Sequence, residues 1–311
     1  MILTEFPDIG WLKKQIEENF RSRRSIHGLD LEHEGFPSVV INTRITESYR
    51  PDIKGPISLF LNLEGSSRCN VNRRTVVIPE GFFFVTNRLQ HYTLEIESGK
   101  PVETFNIHLG EYFCEGVLSA MLSSADTLLN ENHHLESGQL TFSNQLYERN
   151  AKLDSLIRTL GNSGHDKLLF EETLVSILFC LIEYHRSSIR IIQHLPAVKQ
   201  STRVDLYKRL SVVVDYLNSI EDYDIDLGAL ASLANLSKYH FLRLFKLAYG
   251  LSPYQYVQKL RLEKAARLLK SRALSVKEVA SLLGFENSNS FSRLFHQRTG
   301  YYPQFYQRII N

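Results

Sequence analysis

Apolar residues recur with period two through the first third of this chain and with a helical period through most of the rest. In Ile57-Ser58-Leu59-Phe60-Leu61-Asn62-Leu63 every odd-numbered position is apolar. Tyr92, Leu94 and Ile96 alternate with Thr93, Glu95 and Glu97, and Phe105, Ile107 and Leu109 alternate with Asn106 and His108. Such alternation predicts half-buried antiparallel strands. Pro79-Glu80-Gly81 and Ser98-Gly99 supply turn chemistry between them. Several short strands within about 70 residues predict a small sandwich or barrel. A short helix, Ile9 to Phe20, is expected ahead of them.

From about Gln139 the period becomes helical. Leu146, Leu153, Leu156, Ile157 and Leu160 form one stripe, ended by Gly161-Asn162-Ser163-Gly164. Leu174, Ile177, Leu178, Leu181 and Ile182 form a second, on a helix expected from Asp166 to Arg186. The first stripe fits packing against the strands; the second fits contact with another copy of the chain. Gln193-His194-Leu195-Pro196-Ala197 interrupts the pattern and marks a linker. Beyond it the chain reads as all helical, beginning with Tyr207, Leu210, Val213, Val214, Leu217 and Ile220. The acidic run Glu221 to Asp226 ends that helix and supplies N-terminal charge for the next.

Within this helical part a unit occurs twice. Ala231-Ser232-Leu233, Arg243-Leu244-Phe245, Gly250, Pro253 and Tyr256 return as Ala280-Ser281-Leu282, Arg293-Leu294-Phe295, Gly300, Pro303 and Tyr306. The offset grows from 49 to 50 between its two ends, so one residue has been added in the second turn. Each copy has the grammar of a helix-turn-helix. Helix Leu227–Ala234 meets a turn at Asn235-Leu236, where Asn tolerates left-handed backbone. Ser237 then caps a helix running from Lys238 to about Tyr249, which Gly250 ends before Pro253 opens the next. In the second copy, helix Val276–Leu283 meets Gly284-Phe285-Glu286-Asn287 and then helix Ser288–Thr299, with Gly284 at the place of Asn235. The helix between the copies, Pro253 to about Lys270, would be a rod of roughly 27 Å. That length suits holding two second helices about one DNA turn, roughly 34 Å, apart.

These residues resemble the AraC/XylS-type bacterial transcription regulators, closely over about Leu206–Arg308. The resemblance is carried by Ser237 through Lys246, Gly250-Leu251-Ser252-Pro253, Arg261-Leu262-Glu263-Lys264-Ala265, Gly284-Phe285, Phe291-Ser292-Arg293-Leu294-Phe295, Gly300 and Pro303. It implies base contacts from the exposed positions of the second helices, here Tyr239, Leu242, Arg243 and Lys246 in one copy and Ser288, Asn289, Ser290 and Arg293 in the other. Arginine suits guanine or a phosphate, asparagine suits adenine, and Leu242 can meet only an apolar group such as a thymine methyl. Ser237, Lys238, Lys246 and Arg298 fit phosphate contacts. Two alternatives stay open: Arg243 and Arg293 could form salt bridges within the domain, and Tyr239 could be partly core. Family members often carry a polar residue where Leu242 stands, so most hydrogen-bonded readout is expected in the second copy.

The resemblance also implies an α+β fold: an N-terminal cupin-like antiparallel β-barrel with trailing helices, then an all-α domain with two helix-turn-helix units. The corresponding division is an effector domain 1–138, a helical dimerisation segment 139–190, a linker 191–203 and a DNA-binding domain 204–311. Partners implied are double-stranded promoter DNA, a second copy of the chain, RNA polymerase and a small effector.

Charge agrees with this division. From Arg203 onward there are 16 Lys/Arg against 9 Asp/Glu, about +7, while the whole chain is only +2. A basic segment beside an acidic one is the footprint of a polyanion-binding domain, although a solvated basic face would look the same. The chain has 311 residues, enough for two cores, and its 43% hydrophobic and 23% charged content is that of a globular protein. No apolar run reaches the roughly 20 residues of a membrane span. The start carries no basic-then-apolar leader, and Cys69, Cys114 and Cys180 are scattered, which fits a reducing cytoplasm.

For the N-terminal part, Tyr92, Leu94, Phe105 and Ile107 would fill an interior, with His91 or His108 near a mouth; His91, Tyr92, Phe105 and His108 are the candidate effector contacts. His91 and His108 are isolated and His133-His134 falls in a polar stretch, so no metal, cofactor or catalytic residue is expected. No phosphate loop or nucleophile elbow is visible. Two rival readings remain: a metal-dependent cupin enzyme with a DNA-binding appendage, and a constitutive DNA-binding dimer that senses nothing.

Overall fold

The computed structural model describes residues 2–7, 38–122, 140–164, 166–220, 225–285 and 287–309. The helix expected over Ile9–Phe20 and the pair His133-His134 lie outside the described residues. The chain divides into two compact units, Met1–Ile189 and Arg190–Asn311.

The first unit is built on β1 (Ile2–Leu3), β2 (Val39–Lys54), β3 (Ile57–Glu64), β4 (Ser67–Val71), β5 (Arg74–Ile78), β6 (Phe82–Thr86), β7 (His91–Leu109) and β8 (Leu146–Glu148). Their order is β1-β2-β7-β3-β6-β8, with β4 joining β5 and β7. The short β1 runs parallel to β2, and the other pairs are antiparallel. Helices α1 (Glu111–Leu122), α2 (Ala151–Gly161) and α3 (Lys167–His194) accompany the sheet.

Strands β3 and β6 are buried on both faces, not one. Odd-numbered Ile57, Leu59 and Leu61, with Phe83, Val85, Phe105 and Ile107, pack against Leu153, Ile157, Leu160, Leu174, Ile177 and Leu178 of α2 and α3. On the other side Phe60, Cys69, Val76, Ile78, Phe84, Tyr92 and Leu94 form a separate core inside the curl of the strands. The alternation therefore sorts residues between two interiors. Tyr92 and Leu94 do not share a core with Phe105 and Ile107, contrary to the expectation that all four fill one.

Other expectations change. The stripe Leu174, Ile177, Leu178, Leu181 and Ile182, expected to contact another copy of the chain, is buried in the core that α3 shares with the sheet. Ser98-Gly99 does not separate strands: β7 runs unbroken for 19 residues because β2 pairs with it on both sides of that point, shifting register between Ile45 and Glu47. Leu146 is not on a helix but in β8, opposite Phe84 of β6. The helix proper, α2, begins only at Ala151, where the side chain of Asn150 accepts from the Leu153 amide.

In the second unit α4 (Gln200–Ser219) buries Tyr207, Leu210, Val213, Val214 and Leu217, as its period predicts. The remaining helices are α5 (Leu227–Leu233), α6 (Lys238–Tyr249), α7 (Pro253–Ser271), α8 (Val276–Leu282), α9 (Ser288–Thr299) and α10 (Pro303–Ile309). The segment 191–203, expected as a linker, is mostly helical. Helix α3 continues to His194 and α4 starts at Gln200, leaving a connection 195–199 whose Leu195 is buried in the second unit's core. The chain is thus α+β: a cupin-like antiparallel barrel with trailing helices, then an all-α unit holding two helix-turn-helix motifs.

Candidate nucleic-acid interface

The two motifs are built by the same short-range bonds. In the first, Asp226 caps α5 by accepting from the Gly228 and Ala229 amides. Asn235 takes φ 51°, which lets the Leu236 amide donate back to the Ala231 carbonyl at 2.9 Å. Ser237 accepts from the His240 amide to start α6, and Gly250 ends it at φ 72°. In the second, Ser275 and Glu278 form a capping box ahead of α8. Gly284 takes φ 71°, and the Phe285 amide donates to the Ala280 carbonyl at 3.0 Å. Asn287 caps α9, and Gly300 ends it at φ 78°. Ala231 and Ala280 are both buried, so no side chain holds the paired helices apart.

Each second helix is anchored by two phenylalanines a turn apart. Phe241 and Phe245 in α6, and Phe291 and Phe295 in α9, have no exposed surface. Phe245 meets Tyr256 edge-on at 5.6 Å, and Phe295 meets Tyr306 edge-on at 5.1 Å. Between the motifs, α7 starts with a capping box of Ser252 and Gln255 around Pro253 and runs 19 residues, about 28 Å at the usual rise. Arg261 of α7 lies over the Phe285 ring of the second turn at 5.8 Å.

With the phenylalanines facing inward, the opposite face of each helix is left to solvent. Tyr239 is 73% exposed and Leu242 37%, so Tyr239 is not core. Ser237, Lys238, Arg243 and Lys246 are exposed in the first copy, as are Ser288, Asn289, Ser290, Arg293 and Arg298 in the second. Arg243 and Arg293 form no salt bridge with another described residue. Two of the remaining cations differ. Lys238 lies over Gly228 beside the Asp226 carboxylate, whose pKa is lowered first by the Gly228 and Ala229 amides and then by this charge. Arg298 donates to Glu263 at 3.3 Å.

Sequence reasoning missed three exposed positions in the same lane: His240, at the place of Ser290, His296, at the place of Lys246, and Gln297, beyond it. The offset of the repeat was the signal that could have found His240 and His296. His296 is stacked on Tyr302 at 4.3 Å.

The candidate effector residues do not converge. His91 is exposed and pairs with Asp52 at 2.6 Å. Phe105 packs toward the helices, 3.6 Å from where a Cβ on Gly161 would stand. Tyr92 and His108 do face the strand interior, both reaching Ser58, and the His108 Nδ1 to Ser58 distance is 2.8 Å. Burial pushes the His108 pKa down to about 4, so its ring is neutral at pH 7. Burial also raises the Tyr92 hydroxyl well above its ordinary value and the Cys69 thiol to about 12. Among the described residues, no three His, Cys, Asp or Glu side chains converge as a metal site requires.

The second unit therefore defines a class, the double helix-turn-helix DNA-binding proteins. A family model described as a helix-turn-helix domain matches residues 230–309. The probable transcriptional regulator LumQ of Photobacterium leiognathi is 30% identical over 253 residues, covering 81% of this chain and 89% of its own length. The chain belongs to the AraC-type transcriptional regulators. It is also similar to the raffinose operon transcriptional regulatory protein RafR of Pediococcus pentosaceus, 25% identical over 77% of this chain and 79% of that protein. Among solved structures, unsaturated fatty acid bound ToxT of Vibrio cholerae covers 89% of this chain and 97% of its own at 11% identity and a TM-score of 0.34.

Proposed function

We propose that α6 and α9 enter two major-groove segments of promoter DNA, with α7 setting their spacing. The observation that carries this reading is the matched pair of helix faces: Phe241 and Phe245, like Phe291 and Phe295, are wholly buried, while Tyr239, Arg243, Asn289 and Arg293 are exposed on the opposite side. Arg243 and Arg293 read guanine, Asn289 reads adenine, Tyr239 and Leu242 make apolar contact, and Ser288 and Ser290 bond to base edges. Ser237, Lys238, Lys246 and Arg298 meet phosphates.

The first unit would couple a small effector to this binding and pair two copies of the chain through α3, where Leu168 and Phe179, three helical turns apart, are exposed. Activation through RNA polymerase and a cytoplasmic location complete the reading. No helix among the described residues is long and apolar enough to cross a membrane.

Selection of binding sites from random duplexes tests the core of it. Two short segments centred about one helical turn apart should emerge for each subunit, and inserting about 5 bp between them should abolish tight binding by turning one segment away. A single segment, or indifference to the insertion, would reject the two-groove geometry.

A further inference from the structure

Each of the two turns is reached by an arginine from the helix that precedes its motif. Arg209 of α4 donates to the Asn235 carbonyl of the first turn at 3.3 Å, while its other terminal nitrogen lies 2.8 Å from Asp205. Arg261 of α7 lies over the Phe285 ring of the second turn, and its guanidinium stands 3.7 Å from where a Cβ on Gly284 would be. Both arginines are half-buried.

The two contacts differ in what they join. Helix α4 precedes both motifs, so Arg209 cannot set one against the other. Helix α7 lies between them and reaches the anchors of both second helices. Its Tyr256 packs edge-on against Phe245 of α6 at 5.6 Å. Its Arg261 meets Phe285, which packs on Phe291 of α9 at 5.0 Å. Phe245 and Phe291 are wholly buried, so each link ends on a fixed side chain.

At its far end α7 holds the second motif through Arg272, which donates to the Gln307 and Arg308 carbonyls of α10 at 3.1 and 3.3 Å. Arg261 and Arg272 stand about 16 Å apart along the helix at the usual rise. One attachment point leaves a body able to tilt, and apolar packing resists tilting weakly because it is not directional. Two points at this separation remove that freedom. Packed helices lie about 8–10 Å apart, so a tilt of about 15° would move α9 by roughly 2–3 Å. That approaches the roughly 3.4 Å step between base pairs.

We propose that Arg261 is a positioning residue: by clasping the Gly284-Phe285 turn against α7, it fixes to the base pair the separation of the two DNA segments that α6 and α9 enter. This rests on the two-groove reading above. Arginine suits the role because its planar guanidinium lies flat on a ring, and Gly284 leaves the backbone beside it bare.

The test uses the full chain and the duplex it selects from random sequence. Further duplexes have the two segments moved closer or further apart by one base pair, or further apart by about five. The parent should bind each altered spacing about tenfold more weakly or worse. Arg261→Gln should cut the penalty for one base pair to about threefold or less. Arg209→Gln, which removes the matching contact outside the spacer, should keep the parent's penalty. Phe285→Leu gives the second turn the residue found at Leu236 in the first. It should act as Arg261→Gln does, and it carries the test if that variant fails to fold. An unchanged penalty in both second-turn variants overturns the proposal, whether or not overall affinity falls. A fall with a smaller salt slope would then mark Arg261 as a phosphate contact. Equal narrowing by Arg209→Gln overturns it too. A parent indifferent even to five base pairs defeats the two-groove reading and the clasp with it. A parent that rejects five base pairs but tolerates one leaves that reading standing and defeats only the clasp.

Discussion

Arg298 in α9 donates to Glu263 in the helix that joins the motifs, at 3.3 Å, and Lys259 reaches the same carboxylate oxygen at 3.5 Å. The Arg298 side chain is 48% exposed, so its charge is shared between this carboxylate and solvent. If Arg298 serves a phosphate, it must give up or share that partner. Glu263→Gln should therefore strengthen DNA binding and steepen its salt dependence. Stability should change by no more than about 1 kcal/mol, as for other partly exposed pairs. Arg298→Ala should reduce the slope of log affinity against log salt by about 1 without altering sequence preference. Unchanged slopes in both variants would remove Arg298 from the phosphate contacts.

Arg243→Ala and Arg293→Ala should each weaken specific binding by about 1–3 kcal/mol and relax preference at one segment only. The asymmetry of the reading surfaces makes the second loss the more selective, since Arg293 is flanked by Ser288, Asn289 and Ser290 and Arg243 by Tyr239 and Leu242. Selected binding sites compared between variants and the parent give the answer. Equal loss of preference at both segments from either variant would count against the division.

The turn residues can be exchanged to test why they are there. Asn235→Gly should be nearly neutral, because both residues reach positive φ, whereas Gly284→Ala should cost about 1–2 kcal/mol through the left-handed backbone alone. Among the described residues, the methyl group itself would meet the Arg261 guanidinium at 3.7 Å, an ordinary contact. Denaturant titration of the two variants measures the difference, and equal losses would argue against backbone strain as the cause.

His108 gives the first unit a pH dependence with a definite sign. Its folded pKa, about 4, lies below its ordinary 6.5, so the unfolded chain takes up the proton first as pH falls. Above about pH 6.5 the ring is neutral in both states and contributes nothing. Between 6.5 and 4, stability is lost at up to about 1.4 kcal/mol per pH unit. His108→Gln should flatten that part of the curve relative to the parent. An unchanged slope would mean that His108 is protonated without penalty.

Phe179→Lys should convert a dimer to a monomer if the exposed side of α3 joins two copies, while leaving the cores untouched because Phe179 points away from them. Sedimentation velocity across a concentration series reads this out. A parent chain that is monomeric throughout would remove the α3 interface from the proposed function.

The repeat was legible because everything that makes it lies within a few residues of itself. The positive φ at Asn235 and Gly284, the caps at Ser237 and Asn287 and the phenylalanine pairs a turn apart are local, so a repeated residue type carried a repeated conformation. The same locality explains why α6 and α9 begin and end where the sequence predicts.

In the first unit the deciding contacts are long-range. The sequence by itself determined that its strands alternate and that the second unit has two copies of one helix-turn-helix. Only the tertiary structure decided that both faces of β3 and β6 are buried, that Leu146 joins a sheet and that β7 runs through Ser98-Gly99, because β6 and β2 arrive from distant parts of the chain to pair with Leu146 and β7. It also decided that Tyr92 and Phe105 lie in different cores. A period of two separates two faces but carries no sign, and the sign is set by which face meets helices some 50 residues away in sequence.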